Sequence, residues 1–128
     1  MGEKRAREGA YPWRALLDAG VVVANGTDAP VEDVDPIESL YASITRKRAD
    51  NGFEFFPEQS MTREEAIYSY TLGNAYAVFE EDLKGSLEVG KMADIVVLSN
   101  DLLTCEESEI LDTKVLMTVV NGEVKVKQ

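Results

Sequence analysis

The stretch that most restricts the fold is four residues long. Val21-Val22-Val23-Ala24 is apolar and β-branched, without alternation. A strand with one face in water alternates. One that does not alternate is covered on both faces, as in a parallel sheet between helices. The preceding segment agrees. "YPWRALLDAG" reads as a short helix, with Pro12 in its first turn and Gly20 just past its end. Trp13, Leu16 and Leu17 share one face at helical spacing, and the charged residues upstream extend this helix or fray. Helix, glycine and doubly covered strand make half of a β/α repeat.

The loop "NGTDAPVEDVDP" follows. Asn25-Gly26 could turn a hairpin, but no alternating strand comes after it. Asp28 has two readings. It turns the chain with its own backbone, or it stands at the carboxyl end of a buried strand, the face where parallel barrels carry their active sites. Both stay open on the residues alone. Glu32, Asp33 and Asp35 read as a solvated loop and a helix cap. They match no calcium loop, which would need six to eight oxygens. A carboxylate-only hydrolase pairing Asp28 with Asp33 or Asp35 is the weakest option, since nothing gathers these acids around a substrate.

The next helix starts with Asp35 as N-cap, Pro36 at N1 and Glu38 completing a capping box. Ile37, Leu40, Tyr41 and Ile44 form its stripe. Phe53, Phe55 and Phe56 are expected to dock the following loop. Thr62 and Glu65 form a second capping box, opening a helix to about Phe79. Ala66, Ile67, Tyr70, Ala77 and Val78 belong to its buried face, and Gly73 admits a close neighbour. Glu80-Glu81-Asp82 reads as solvated. Then the period changes: a strand at Asp94 to Leu98, and two alternating segments joined by Asn121-Gly122, a strong hairpin signal.

The bulk numbers narrow the function. A chain of 128 residues is one ordinary domain. Its net charge of −11 repels phosphate backbones and anionic lipid, so neither nucleic acid nor a membrane is an expected partner. Cys105 is the single cysteine, so no intrachain disulfide forms, and a reducing, cytoplasmic location is expected. With only Glu106 and Glu107 beside it, it reads as an inert thiol. "MGEKRAREGA" is charged and has no apolar core, so it is not expected to act as a signal peptide, and no run nears the roughly 20 residues of a membrane span. Most telling, there is no histidine. No Ser-His or Cys-His pair can form, and a zinc site would have only carboxylates and one thiol to draw on.

"GTDAPVEDVDP" with "LYASITR", "MTREEAIYSYTLGNAYAVFEEDLKGSLEVGKMADIVVL" and "VLMTVVNGEV" together resemble the closing part of the amidohydrolase superfamily. The similarity is to the metal-dependent hydrolases labelled amidohydrolase family 3, and it runs from about Tyr11 to Val126. "KGSLEVGKMADIVVL" is its most specific piece. The resemblance implies a (β/α)8 barrel holding one or two divalent metals, zinc foremost, and a small β-sandwich built from both chain ends. The family's ligands are a His-x-His pair, a Lys or Glu, two further histidines and an aspartate on the eighth strand. Only the last has a counterpart here, and it is Asp28. By resemblance, Asp28 contacts the metal, takes a proton from the water bound there and hands it to the leaving group. Gly26 and Thr27 would allow the sharp turn and Pro30 would stiffen the exit.

A complete barrel takes about 250 residues. The expectation is therefore an α/β to α+β fragment: 1–84 as the end of the barrel, with its last strand and helices, and 85–128 as a sandwich segment with a closing hairpin. It is expected to bind no metal alone and to be inactive alone, acting on carbon–nitrogen bonds of a small molecule only when completed. Val21 to Ala24 would lack strand neighbours. An oligomer of this chain, narrowly preferred, a covering by its own helices or a complementing polypeptide would relieve that. The alternative function is a non-enzymatic assembly or binding module.

Overall fold

Among residues 2–127, which the computed structural model describes, helices come first and strands last. The helices are α1 (Glu3–Gly9), α2 (Trp13–Asp18), α3 (Pro36–Thr45), α4 (Arg63–Tyr70) and α5 (Leu72–Ala77). The strands are β1 (Ile95–Leu98), β2 (Val115–Val120) and β3 (Glu123–Lys127). Met1 and Gln128, the outer ends of the expected 1–84 and 85–128 divisions, lie outside the described residues.

Local chemistry sets the helix ends. Thr62 Oγ1 accepts the Glu65 amide at 3.2 Å and Glu65 Oε2 accepts the Thr62 amide at 2.8 Å, the expected capping box. Asp35 Oδ1 accepts the Ile37 amide at 3.0 Å, so α3 is capped by Asp35 itself. Gly20, at φ +78°, follows α2 in the left-handed region that glycine enters freely. Upstream, the charged residues form their own helix. Tyr11 at φ +54° separates α1 from α2.

The helix expected to run from Thr62 to about Phe79 is broken. Thr71 has φ −118° and ψ −94°, and its hydroxyl donates back to the Ile67 carbonyl at 2.8 Å. A threonine hydroxyl that bonds the preceding turn competes with the helix ladder. Two residues on, Gly73 admits the carbonyl of Val23. A Cβ at that position would lie 2.6 Å from the oxygen.

Arg46 is the other departure. It ends α3 at φ +59° and is 6% exposed, although arginine is seldom buried. Its guanidinium carbon lies 4.5 Å from the Trp13 ring centroid and 5.3 Å from that of Phe55, and Nε donates to the Phe55 carbonyl at 2.9 Å. Burial lowers its pKa, against the pull of Glu58. This stack docks the 47–56 loop through Phe55, beside Phe56. Phe53, expected to help, is exposed.

The core is small: Leu40, Tyr41, Met61, Ala66, Leu102 and Ile110, with Trp13, Leu17 and Val23 against it. Beyond it lies an antiparallel sheet of order β1-β2-β3, with Ile95 opposite Val119 and Val120 opposite Glu123. Asn121 (φ +51°) and Gly122 (φ +79°) make the tight turn as expected. The Asn121 amide donates to Asp94 Oδ1 at 2.8 Å and the Gly122 amide to the Ala93 carbonyl at 3.0 Å.

Val21 to Ala24 depart most. They belong to no sheet among the described residues, and Val21 and Val22 are 45% and 38% exposed. A doubly covered strand needs neighbours on both edges, and here the segment crosses the helices instead. The chain is thus a small α/β piece with a three-stranded antiparallel sheet. Its accessible surface is 8667 Å², against roughly 6,700 Å² for a compact monomer of this mass. Val31, Val34, Leu87 and Val89 are exposed, as are Val96, Val120, Val124 and Val126 of the sheet. Among the described residues no helix is long and apolar enough to cross a membrane.

Candidate functional site

Asp28 is delivered by a segment that the helices grip at one point. The Asn25 amide donates to the Ser69 carbonyl of α4 at 3.0 Å. Its carbonyl accepts Asn74 Nδ2 of α5 at 2.9 Å, and its own Nδ2 donates to Ser43 Oγ of α3 at 2.9 Å. Gly26 then closes onto Asn25 Oδ1 at 2.9 Å, and the chain leaves the body. Asp28 comes two residues later, exposed, at φ +54°. Its carbonyl accepts the Val31 amide at 2.8 Å. Asp28 thus meets the turn reading, while the buried strand its other reading needs is not formed among the described residues. It does turn the chain, in the left-handed region aspartate tolerates better than most residues. Its carboxylate also stands free, with no hydrogen bond or ion pair among the described residues.

The neighbouring acids do other work. Asp33 Oδ1 accepts the Asp35 amide at 3.2 Å and Asp35 caps α3. Both carboxylates serve the local backbone, as the loop-and-cap reading expected. Among the described residues no three acids or cysteines gather as a metal would require. Zinc wants three or four protein donors, and Asp28 offers one. The residues present do not fit a metal by themselves.

Two groups were not legible in order along the chain. Cys105 has no basic neighbour in sequence, but Arg63 Nη1 reaches its sulfur at 3.5 Å while donating to the Leu102 carbonyl at 2.7 Å. Glu81, read as solvated, gives its carbonyl to Lys91 Nζ at 2.5 Å. The residues around Asn25 were also missed. The only sign of them was Gly73, and asparagine within a helix, where it is a poor former.

A groove of about 980 Å³ runs between α4, α5 and β1, with Tyr70, Asn74, Lys84, Asp94 and Val96 in its walls. Asp28 is not among them. Burial raises the Tyr70 phenol above its ordinary pKa, with Ser39 pulling the other way.

The profile of the family described as "Amidohydrolase family" matches residues 1–126. The putative amidohydrolase YtcJ of Bacillus subtilis is 31% identical over 97% of this chain and 24% of its own length. The N-substituted formamide deformylase of Arthrobacter pascens is 33% identical over 94% of this chain and 22% of its own. Among solved structures, atrazine chlorohydrolase TrzN from Arthrobacter aurescens, complexed with zinc, superposes with a TM-score of 0.66 at 28% identity. That match covers 98% of this chain and 29% of the other. The chain thus spans about a quarter of the length of the relatives it matches.

Proposed function

The chain belongs to the amidohydrolase family, and from that premise we propose that it is the closing part of a metal-dependent hydrolase of carbon–nitrogen bonds, with Asp28 as its proton-carrying carboxylate. The family match across residues 1–126 carries the reading. Residues 1–84 would be the end of the barrel and 85–128 the segment of the small sandwich.

Asp28 suits the role for a physical reason. A carboxylate with no internal partner can accept a proton and give it up again without breaking an ion pair. Hydrolysis of an amide needs both movements. Water adds its oxygen to the carbon while Asp28 takes its proton. The C–N bond then breaks as that proton passes to the departing nitrogen. The metal would supply charge stabilisation for the attacking and leaving groups. Asp28 would give it one oxygen donor, the remaining donors coming from elsewhere in the completed barrel.

Surface supports the same reading. The excess over a compact monomer is about 1,900 Å², more than twice the roughly 800 Å² that one partner gives a standard interface. A chain exposing that much extra surface, with valines of the sheet in it, is expected to be covered. Barrel and sandwich residues outside this segment would do so. The second reading is an assembly module. It is favoured by the same exposed valines of the sheet, which a second copy could cover.

Reconstitution tests the proposal. The chain is mixed with the barrel portion of the formamide deformylase, cut before the matching segment, and zinc-dependent deformylation is followed. Hydrolysis is expected in the mixture, absent from either piece alone, and lost with Asp28→Ala while zinc is retained. Undiminished hydrolysis by the Asp28→Ala mixture would overturn the assignment.

A further inference from the structure

We infer that Asn74 is a positioning residue for Asp28, an inference that rests on the reading of Asp28 as the proton carrier. Asn74 sits on α5 immediately after Gly73, whose missing Cβ lets the Val23 carbonyl approach. From there Nδ2 donates to the Asn25 carbonyl at 2.9 Å and to the Tyr70 carbonyl of its own preceding turn at 3.3 Å. The second bond holds the amide against the α4–α5 junction, and the first holds the segment.

Asn25 is fixed at three points from three helices. Ser69 of α4 takes its N–H, Asn74 of α5 takes its C=O, and Ser43 of α3 takes its side-chain amide. Ser43 and Ser69 are each 1% exposed, so their positions are set by the packed body. The Ser43 hydroxyl is in turn oriented by donation to the Ser39 carbonyl at 2.8 Å. Beyond Asn25 the loop bonds only to itself among the described residues, through Asp28 with Val31 and Asp33 with Asp35. The direction in which Asp28 leaves the body is therefore decided at Asn25. Fixing both its N–H and its C=O defines the plane of the peptide that follows, and Asn74 is the side chain that fixes the second. A reacting carboxylate displaced by about 1 Å loses on the order of a hundredfold in rate, so this peptide plane matters to the chemistry.

The test uses the 128-residue chain without metal or substrate. NMR reads the coupling and proton-contact pattern that marks a left-handed residue at Asp28, together with amide exchange along the chain. Asn74→Asp keeps the shape and replaces the donor by an oxygen facing the Asn25 carbonyl. Ser43→Ala removes only the third anchor. Asn74→Asp is expected to average the left-handed signature at Asp28 and to speed exchange at the Asn25 amide by about tenfold. Amides of α3 and of the β2–β3 hairpin keep their protection. Ser43→Ala gives the same pattern more weakly. An unchanged signature at Asp28 in Asn74→Asp overturns the inference. So does equal acceleration of every amide in both variants, which would make Asn74 a residue of general stability. Asp28→Asn leaves the signature in place. The clamp can therefore fail while the proton role stands, or stand while the reconstituted Asp28→Ala enzyme remains active.

Discussion

Two segments of this chain are rich in valine, and they solve the same problem in opposite ways. The β2–β3 hairpin carries its partner within a dozen residues, and a left-handed Asn121-Gly122 pair closes it. Its backbone groups pair strand to strand. Residues 21–24 have no such partner among the described residues. They lie across the helices, with the Val23 carbonyl against Gly73, and the chain is held at the adjoining Asn25 by the side chains of Asn74 and Ser43. Strand-like sequence becomes a strand only where the neighbouring strand is also supplied. The hairpin encodes its own neighbour, and the 21–24 segment does not.

The largest effect should come from the body that supports both. Ile110 is fully buried, so Ile110→Ala is expected to cost about 3 kcal/mol in denaturant unfolding. It should loosen segment and hairpin together. Gly73→Ala separates them. Alanine gains up to about 1 kcal/mol of helix propensity, but its Cβ meets the Val23 and Tyr68 carbonyl oxygens at 2.6 and 3.1 Å. Backbone contacts that tight cannot relax cheaply, so a net loss of about 2 kcal/mol is expected. Amide exchange should rise at residues 21–28 while the hairpin stays protected. Gly122→Ala is the mirror experiment. Space is open there and only the left-handed φ resists, so a loss of about 1 kcal/mol confined to β2 and β3 is expected.

The smallest effect is electrostatic and should touch neither segment. Lys47 donates to Glu107 at 2.7 Å, which raises its pKa. A raised lysine contributes stability that is full below the unfolded pKa of about 10.4 and is lost as pH rises through the folded value. Glu107→Gln should therefore be slightly less stable than the parent at neutral pH, with the difference closing as pH rises through the lysine's range. Alkaline unfolding curves of the two proteins decide this.

What could be read along the chain was whatever a few adjacent residues decide. The Thr62–Glu65 box, the Asp35 cap, Gly20 and the Asn121-Gly122 turn all stand where the sequence puts them. Asp28 as a turn residue was legible as well. The break at Thr71 was not, because helical periodicity continues through it and the cause is a hydroxyl bond. Arg46 gave no sign of burial, since its partners Trp13 and Phe55 come from other parts of the chain. The Asn25 anchors were hidden for the same reason. Asn25-Gly26 reads as a turn dipeptide, and its partners lie 18 and 49 residues away. The covered strand does not form among the described residues, because covering depends on residues that the segment cannot specify.

The decisive experiment is native mass spectrometry of the chain, buffer-exchanged after incubation with Zn²⁺. As proposed, Asp28 is one donor of a site whose other donors lie outside this segment. No zinc is then retained by the chain alone, and the Asp28→Ala protein behaves identically. One zinc held per chain, and lost on Asp28→Ala, would contradict this by showing that these carboxylates complete a site unaided.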